Sequence, residues 1–313
     1  MKAWVVLAAA GALGAAVWAA GQNPAAPAGS LQNEDTARIT IDVTRVNMLF
    51  TVTDKKGRFV TNLTKDDFEV IENKRPQTIL EFAAETDLPL RLGILIDTSN
   101  SIRDRFRFEQ ETASEFVVSV VKPHVDKAMV VSFDSEAELR SDLIDDPLAI
   151  GDAIRALRPG GGTSLYDAIY FACRDKLLQD QPRHKFRRAV VIVSDGDDNQ
   201  SRYTRDQALE MAQRADAVIY AISTNITRAE TEGDKVLKYL TQETGGLAFF
   251  PFKVEDLSQS FVDIANELRH QYNISYRPEP MVTDGLFHRI QLRVKDRKDL
   301  VVRVRDGYQA PKM

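Results

Sequence analysis

From residue 38 onward the hydrophobic pattern changes period twice. Ile39, Ile41 and Val43 alternate with Thr40, Asp42 and Thr44, and Met48, Phe50 and Val52 alternate with Asn47, Leu49 and Thr51. A period of two puts every second side chain on one face, so these stretches predict half-buried strands. "TDKKGRFV" supplies a turn with Gly57 at its positive-φ position, and "DDFEVIENKRPQTILEF" continues in the same style. From Leu88 the pattern becomes continuous apolar runs: "LRLGILID", "KAMVVSFD", "RRAVVIVSD", "DAVIYAIS" and the shorter "LAFFPF". Amphipathic segments separate them. Phe116, Val117, Val120 and Val121 share one face, and further helices are expected over 164–178, 204–215, 231–244 and 254–270. Strands apolar on both faces, separated by helices, predict an α/β fold with a doubly wound, mostly parallel sheet. "EAELRSD" predicts a short antiparallel edge strand. After Arg269 the period returns to two, with His288, Ile290, Leu292 and Val294 alternating with Arg289, Gln291, Arg293 and Lys295. Each β-rich flank is short for an independent sandwich. The expectation is that 38–87 and 271–313 pair into one β-sandwich, with the 88–270 unit inserted between them.

The first 21 residues carry Lys2 and then an apolar run to about Ala20 ending in small residues, the pattern of a secretory signal. An uncleaved membrane anchor is the alternative, since the run is nearly long enough to span a bilayer. Either places the remainder outside the cytoplasm, periplasmic or extracellular. Residues 22–37, rich in Ala, Pro and Gly, read as a linker. Net charge is −5, which gives no electrostatic footprint for nucleic acid. Cys173 is the only cysteine, so no internal disulfide forms, and its helical surroundings predict a small buried side chain.

The candidate chemistry begins at "RLGILIDTSNSIRD". An apolar strand runs into Asp97, followed at two-residue intervals by Ser99 and Ser101. In a doubly wound sheet, ligands bind outside the carboxyl ends of the strands where the strand order reverses. "RRAVVIVSD", the fourth main strand, ends on Asp195 and meets Asp97 across that crevice. "RPGGGTSLYDAI" places Thr163 after three glycines and just before a helix. Asp97, Ser99, Ser101, Thr163 and Asp195 therefore gather at one edge, offering only hard oxygen. That donor set suits Mg²⁺, with Mn²⁺ or Ca²⁺ as alternatives. Two carboxylates neutralise a divalent ion without saturating it, so water-filled positions can recruit an outside carboxylate.

These residues resemble the metal-ion-dependent adhesion site (MIDAS) of von Willebrand factor A (VWA) domains. "DTSNS" matches its D-x-S-x-S element, Thr163 its threonine and Asp195 its later aspartate. The resemblance covers about 88–270, and the flanks look like those of a bacterial exported VWFA-related family. It implies protein binding, often through a partner's Asp or Glu that completes the metal shell.

Other features add less. Asp197, Asp198 and Asp134 are either tuning groups around the ion or solvated loop residues. His124, His184, His270 and His288 show no metal-ligand spacing and read as exposed polar residues. Arg289, Arg293, Lys295, Arg303 and Arg305 read as a solvated basic face on the C-terminal strands. A serine nucleophile at 99 or 101 lacks an activating base, so no catalytic residue is assigned. The expected function is an exported, Mg²⁺-dependent protein-binding module of adhesion type. A structural component of the cell envelope is the alternative, and a Mg²⁺-dependent phosphoryl-transfer enzyme a more distant one.

Overall fold

The computed structural model describes residues 45–84, 88–100, 106–182, 185–225, 227, 229–251 and 253–311. The N-terminal apolar segment, the linker, the strand expected at 39–43, Ser101 and His184 lie outside the described residues.

The chain opens with four strands: β1 (Val46–Asp54), β2 (Phe68–Glu72), β3 (Arg75–Gln77) and β4 (Ile79–Ala83). The predicted turn after β1 is present, with Gly57 at φ +78°. The α/β part then runs β5 (Leu90–Asp97), α1 (Phe106–Val120), β6 (Lys127–Phe133), β7 (Ala137–Ile144), α2 (Pro147–Arg155), α3 (Leu165–Phe171), β8 (Arg187–Ser194), α4 (Arg205–Arg214), β9 (Ala217–Ser223), α5 (Glu232–Thr244), β10 (Ala248–Phe249) and α6 (Val254–Arg269). Four strands close the chain: β11 (Tyr272–Tyr276), β12 (Phe287–Val294), β13 (Leu300–Val304) and β14 (Gly307–Gln309).

The central sheet has the order β10-β9-β8-β5-β6-β7, all parallel except β7. Its strands are buried on both faces, as their unbroken apolar runs predict. On one side Leu92, Ile94, Val191 and Val193 pack with Phe116, Val117, Phe261 and Ile264 of α1 and α6. On the other, Leu95, Met129, Val190 and Ile192 pack with Leu165, Ile169, Leu209 and Leu237 of α3, α4 and α5. Each such side chain contributes about 1.5–3 kcal/mol by leaving water.

The flanking strands interleave. The sheet β13-β1-β11-β4 and the sheet β14-β12-β2-β3 each combine strands from both ends of the chain. Val46 pairs with Tyr276 and Phe50 with Val304, while Val70 pairs with Leu292. Met48, Phe50, Val70, Ile274 and Ile290 of the two sheets share one hydrophobic cluster.

Periodicity misses α2, which is nine residues long and starts from Asp146 as N-cap with Pro147 in its first turn. Beyond α3 the last turn widens, and Leu178 N–H donates to Cys173 C=O at 2.9 Å. Cys173 is buried, and burial pushes its thiol up to about 12.

Two surface readings need correction. Arg303 and Arg305 leave the basic face: Arg303 pairs with Glu267 of α6 at 2.7 Å, and buried Arg305 pairs with Asp216 at 2.9 Å. His288 is not exposed but buried against Glu72, with Nδ1 2.8 Å from Glu72 Oε1. His288 is in phase with Ile290 and Leu292 on the inward side of its strand, so the alternation places it inside while leaving its partner unspecified.

Candidate metal centre

β5 lies directly beside β8, with Ile96 opposite Val193, so the next residues, Asp97 and Ser194, end the two strands side by side. This is where the strand order reverses. The polar strand ends share one local device. Asp97 Oδ1 accepts the N–H of Ser99 at 2.8 Å, and Asp195 Oδ1 that of Asp197 at 3.1 Å. Asp134 Oδ1 accepts that of Glu136 at 3.4 Å, and Ser223 Oγ that of Asn225 at 3.1 Å. Each strand thus turns by a side chain binding the backbone two residues on. Asp97 Oδ2 also accepts the Ser194 hydroxyl at 2.7 Å, and Ser194 Oγ accepts Gly196 N–H at 3.0 Å.

The glycine loop closes over this corner. Gly160 N–H donates to Thr98 C=O at 2.6 Å, and Asn100 Nδ2 to Gly161 C=O at 3.3 Å. Thr163 C=O accepts the N–H groups of Asn199 and Gln200, both at 3.0 Å, and Thr163 N–H donates to Asn199 Oδ1 at 3.1 Å. Asp198 then tethers α3: its Oδ2 accepts Tyr166 N–H at 3.0 Å and the Ser201 hydroxyl at 2.6 Å. Asp198 is therefore a structural tie rather than a solvated loop residue. Gly196 has φ +83°, and a Cβ there would lie 2.2 Å from Gly233 C=O. Only glycine lets the Asp195 loop sit against the start of α5.

Asp97, Ser99 and Thr163 are buried at this rim, and Asp195 is half-buried. Asp97 is 0% exposed, yet it is a carboxylate. Burial is the largest influence on it, opposed by hydrogen bonds from Ser194 and Ser99 and reinforced by the charge of Asp195, and its pKa rises to about 6. None of these groups is a cation. Asp197 is likewise raised, by burial and then by Asp195 and Asp234. Beside Thr163, the Ser164 hydroxyl is buried with no hydrogen-bond partner among the described residues. A fully buried carboxylate beside a second one, set among neutral hydroxyls, fits a hard divalent cation. Among the described residues no three His, Cys, Asp or Glu side chains cluster as a ligand set, so any such site here depends on hydroxyl oxygen.

Sequence reasoning did not single out Ser194, Asn199 or the tethering role of Asp198. Aligning "ILID" with "VIVS" places Ser194 beside Asp97 and offers a signal for the first. Nothing comparable marks the other two, whose roles depend on how the loops fold together.

Residues 92–197 match the profile of the von Willebrand factor type A domain. No curated protein matches the chain. Proximal thread matrix protein 1 from the mussel byssus, in a structure with a zinc-occupied MIDAS motif, is similar at TM-score 0.50 and 18% identity, over 61% of this chain and 48% of that one. This chain thus matches about half the length of the mussel protein. The vWF domain of the type V pili tip protein Mfa5 from Porphyromonas gingivalis has TM-score 0.46 and 15% identity, over 58% of this chain and 95% of that one. BatB from Bacteroides thetaiotaomicron has TM-score 0.44 and 17% identity, over 56% and 99%. At 18% identity the likeness to the mussel protein is one of fold alone.

Proposed function

We propose, because the chain carries a von Willebrand factor type A domain, that it is an exported module that binds a partner protein through a divalent metal ion. The observation that carries this reading is Asp97: a fully buried carboxylate at the strand-order reversal, next to Asp195, surrounded by hydroxyl groups of Ser99 and Ser194. In this reading Asp97, Ser99 and Ser101 hold Mg²⁺ directly, and Thr163 and Asp195 do so directly or through water. The bound ion supplies a point of positive charge for an Asp or Glu of the partner. The chain's residues fix the oxygen donors and keep Asp97 apart from bulk water. Export rests on the N-terminal apolar segment, and among the described residues no helix is long and apolar enough to cross a membrane.

A binder is favoured over an enzyme by what surrounds the rim. His124 is exposed in the loop before β6, at the opposite ends of the parallel strands. His270 and His288 belong to the junction and strands of the flanking sheets. Ser99 gives its backbone N–H to Asp97, a carboxylate whose pKa burial raises rather than an imidazole base. A partner-capture experiment tests the reading. Immobilised protein should retain an acidic-ligand protein from an envelope extract in Mg²⁺, release it in EDTA, and lose it in Asp97→Ala. Retention unaffected by both EDTA and the substitution would remove the metal from the mechanism.

A further inference from the structure

Each residue of the glycine loop from 160 to 163 is held by a segment that follows one of the central strands. Gly160 N–H donates to Thr98 C=O, and Gly161 C=O accepts Asn100 Nδ2, both just after β5. Gly162 N–H donates to Ser135 Oγ, just after β6, at 3.1 Å. Thr163 is held at both of its backbone groups by the segment after β8. Its N–H donates to Asn199 Oδ1 at 3.1 Å, and its C=O accepts the N–H groups of Asn199 and Gln200 at 3.0 Å. The approach is close: a Cβ on Gly162 would lie 2.9 Å from Asn199 Oδ1 and 2.8 Å from Gln200 Cγ. A glycine at 162 therefore leaves the space that the Asn199 side chain occupies.

Bonds on both sides of a Cα fix the direction in which its Cβ leaves. Threonine is β-branched, so few staggered positions then remain for its hydroxyl. Thr163 is buried, and a buried N–H needs a partner, which here is a side chain rather than a neighbouring strand. The segment that supplies this partner is itself tied down. Asp195 Oδ1 accepts Asp197 N–H at 3.1 Å, and Asp198 Oδ2 accepts Tyr166 N–H at the start of α3 at 3.0 Å. Asp195 and Thr163 stand on different loops, yet residues 195–200 join them into one unit.

We infer that Asn199 is a positioning residue of the metal centre: its side-chain oxygen sets Thr163, and with it the place of the Thr163 hydroxyl relative to Asp195. The inference rests on the metal-binding reading above and adds to it a residue that acts on the ion only through Thr163. Removing the side chain leaves both bonds to Thr163 C=O in place. The loss of affinity therefore falls at the low end of what such outer groups govern, about tenfold.

Mg²⁺ titration calorimetry on the full chain tests this in four proteins: wild type, Asn199→Ala, Thr163→Val and the double variant. Asn199→Ala should weaken Mg²⁺ binding about tenfold in the wild-type background. In the Thr163→Val background, where no hydroxyl is left to position, it should cost no more than about twofold. Amide hydrogen exchange without added metal gives a second readout. The Thr163 amide should exchange at least about tenfold faster in Asn199→Ala, with Leu95 and Ile192 of β5 and β8 unchanged. Unchanged affinity in Asn199→Ala, an equal loss in both backgrounds, or a loss with no change at the Thr163 amide would overturn the inference and leave the metal reading standing. Wild-type protein that takes up no Mg²⁺ would overturn the reading itself and the inference with it.

Discussion

Asp97 performs two tasks with two oxygens. One holds the turn through Ser99 N–H at 2.8 Å and the other accepts Ser194 Oγ at 2.7 Å. Each carboxylate oxygen has two acceptor positions, so both bonds leave room for a cation. Ser194 does not reach out to an ion in this account; it fixes the carboxylate that does. Groups in that position characteristically govern metal affinity by about 10–100-fold. Ser194→Ala should accordingly weaken Mg²⁺ binding by about that factor with the far-ultraviolet circular dichroism unchanged. Wild-type affinity in that variant would show that the Ser194 bond contributes nothing to positioning.

At the scale of elements, the interleaved sheets place a polar cluster in their shared interior. Glu72 of β2 accepts Tyr276 Oη at 2.8 Å and Tyr308 Oη at 3.0 Å and faces His288 Nδ1 at 2.8 Å, while Asp284 lies 3.2 Å from His288 Nε2. Burial raises both tyrosines, with the charge of Glu72 adding to it, so they stay protonated as donors. Burial pulls His288 down, but hydrogen bonds and charge from Glu72 and Asp284 outweigh it, and the imidazole is raised above its ordinary value. A folded pKa above the unfolded one stabilises the fold fully below about pH 6.5, and that contribution disappears as pH rises through the folded value. Urea midpoints should therefore fall as pH rises from 6 through that value, and fall less in His288→Gln; parallel pH profiles would contradict this. The sequence displayed the inward position of His288 through its alternation with Arg289 and Arg293, but not its partner, because Glu72 is 216 residues away. The same limit applies to Arg303 and Arg305, whose partners Glu267 and Asp216 come from another part of the fold. Within the site, the positions of Asp97, Ser99 and Asp195 at the rim were legible because an apolar strand announces its own end, and that of Thr163 because three glycines precede it just before a helix. Asn199 and Asp198 were not, since a loop's hydrogen bonds depend on which loop faces it.

At the scale of the whole molecule, we take 38–87 and 271–313 as one β unit with the α/β unit inserted. Its support is that β1 pairs with β11 and β13, and β2 with β12. Residues 45–84 expressed alone should then lack a cooperative urea transition, whereas a sharp one would separate the two flanks. The insertion is tied at two ion pairs, Arg303 to Glu267 and Arg305 to Asp216, and Arg305 also joins the two flanks through Asn47 C=O at 2.6 Å. Gly245, at φ +82° after α5, packs where a Cβ would lie 2.6 Å from Arg305 N. These ties sit away from the rim, so losing the Asp97 carboxylate should leave the architecture in place. The most direct measurement is calorimetric titration of Mg²⁺ into the wild type and into Asp97→Ala. Heat that saturates in the wild type and vanishes in a folded Asp97→Ala variant is the predicted result. Equal binding in both proteins would place the ion elsewhere and contradict the account.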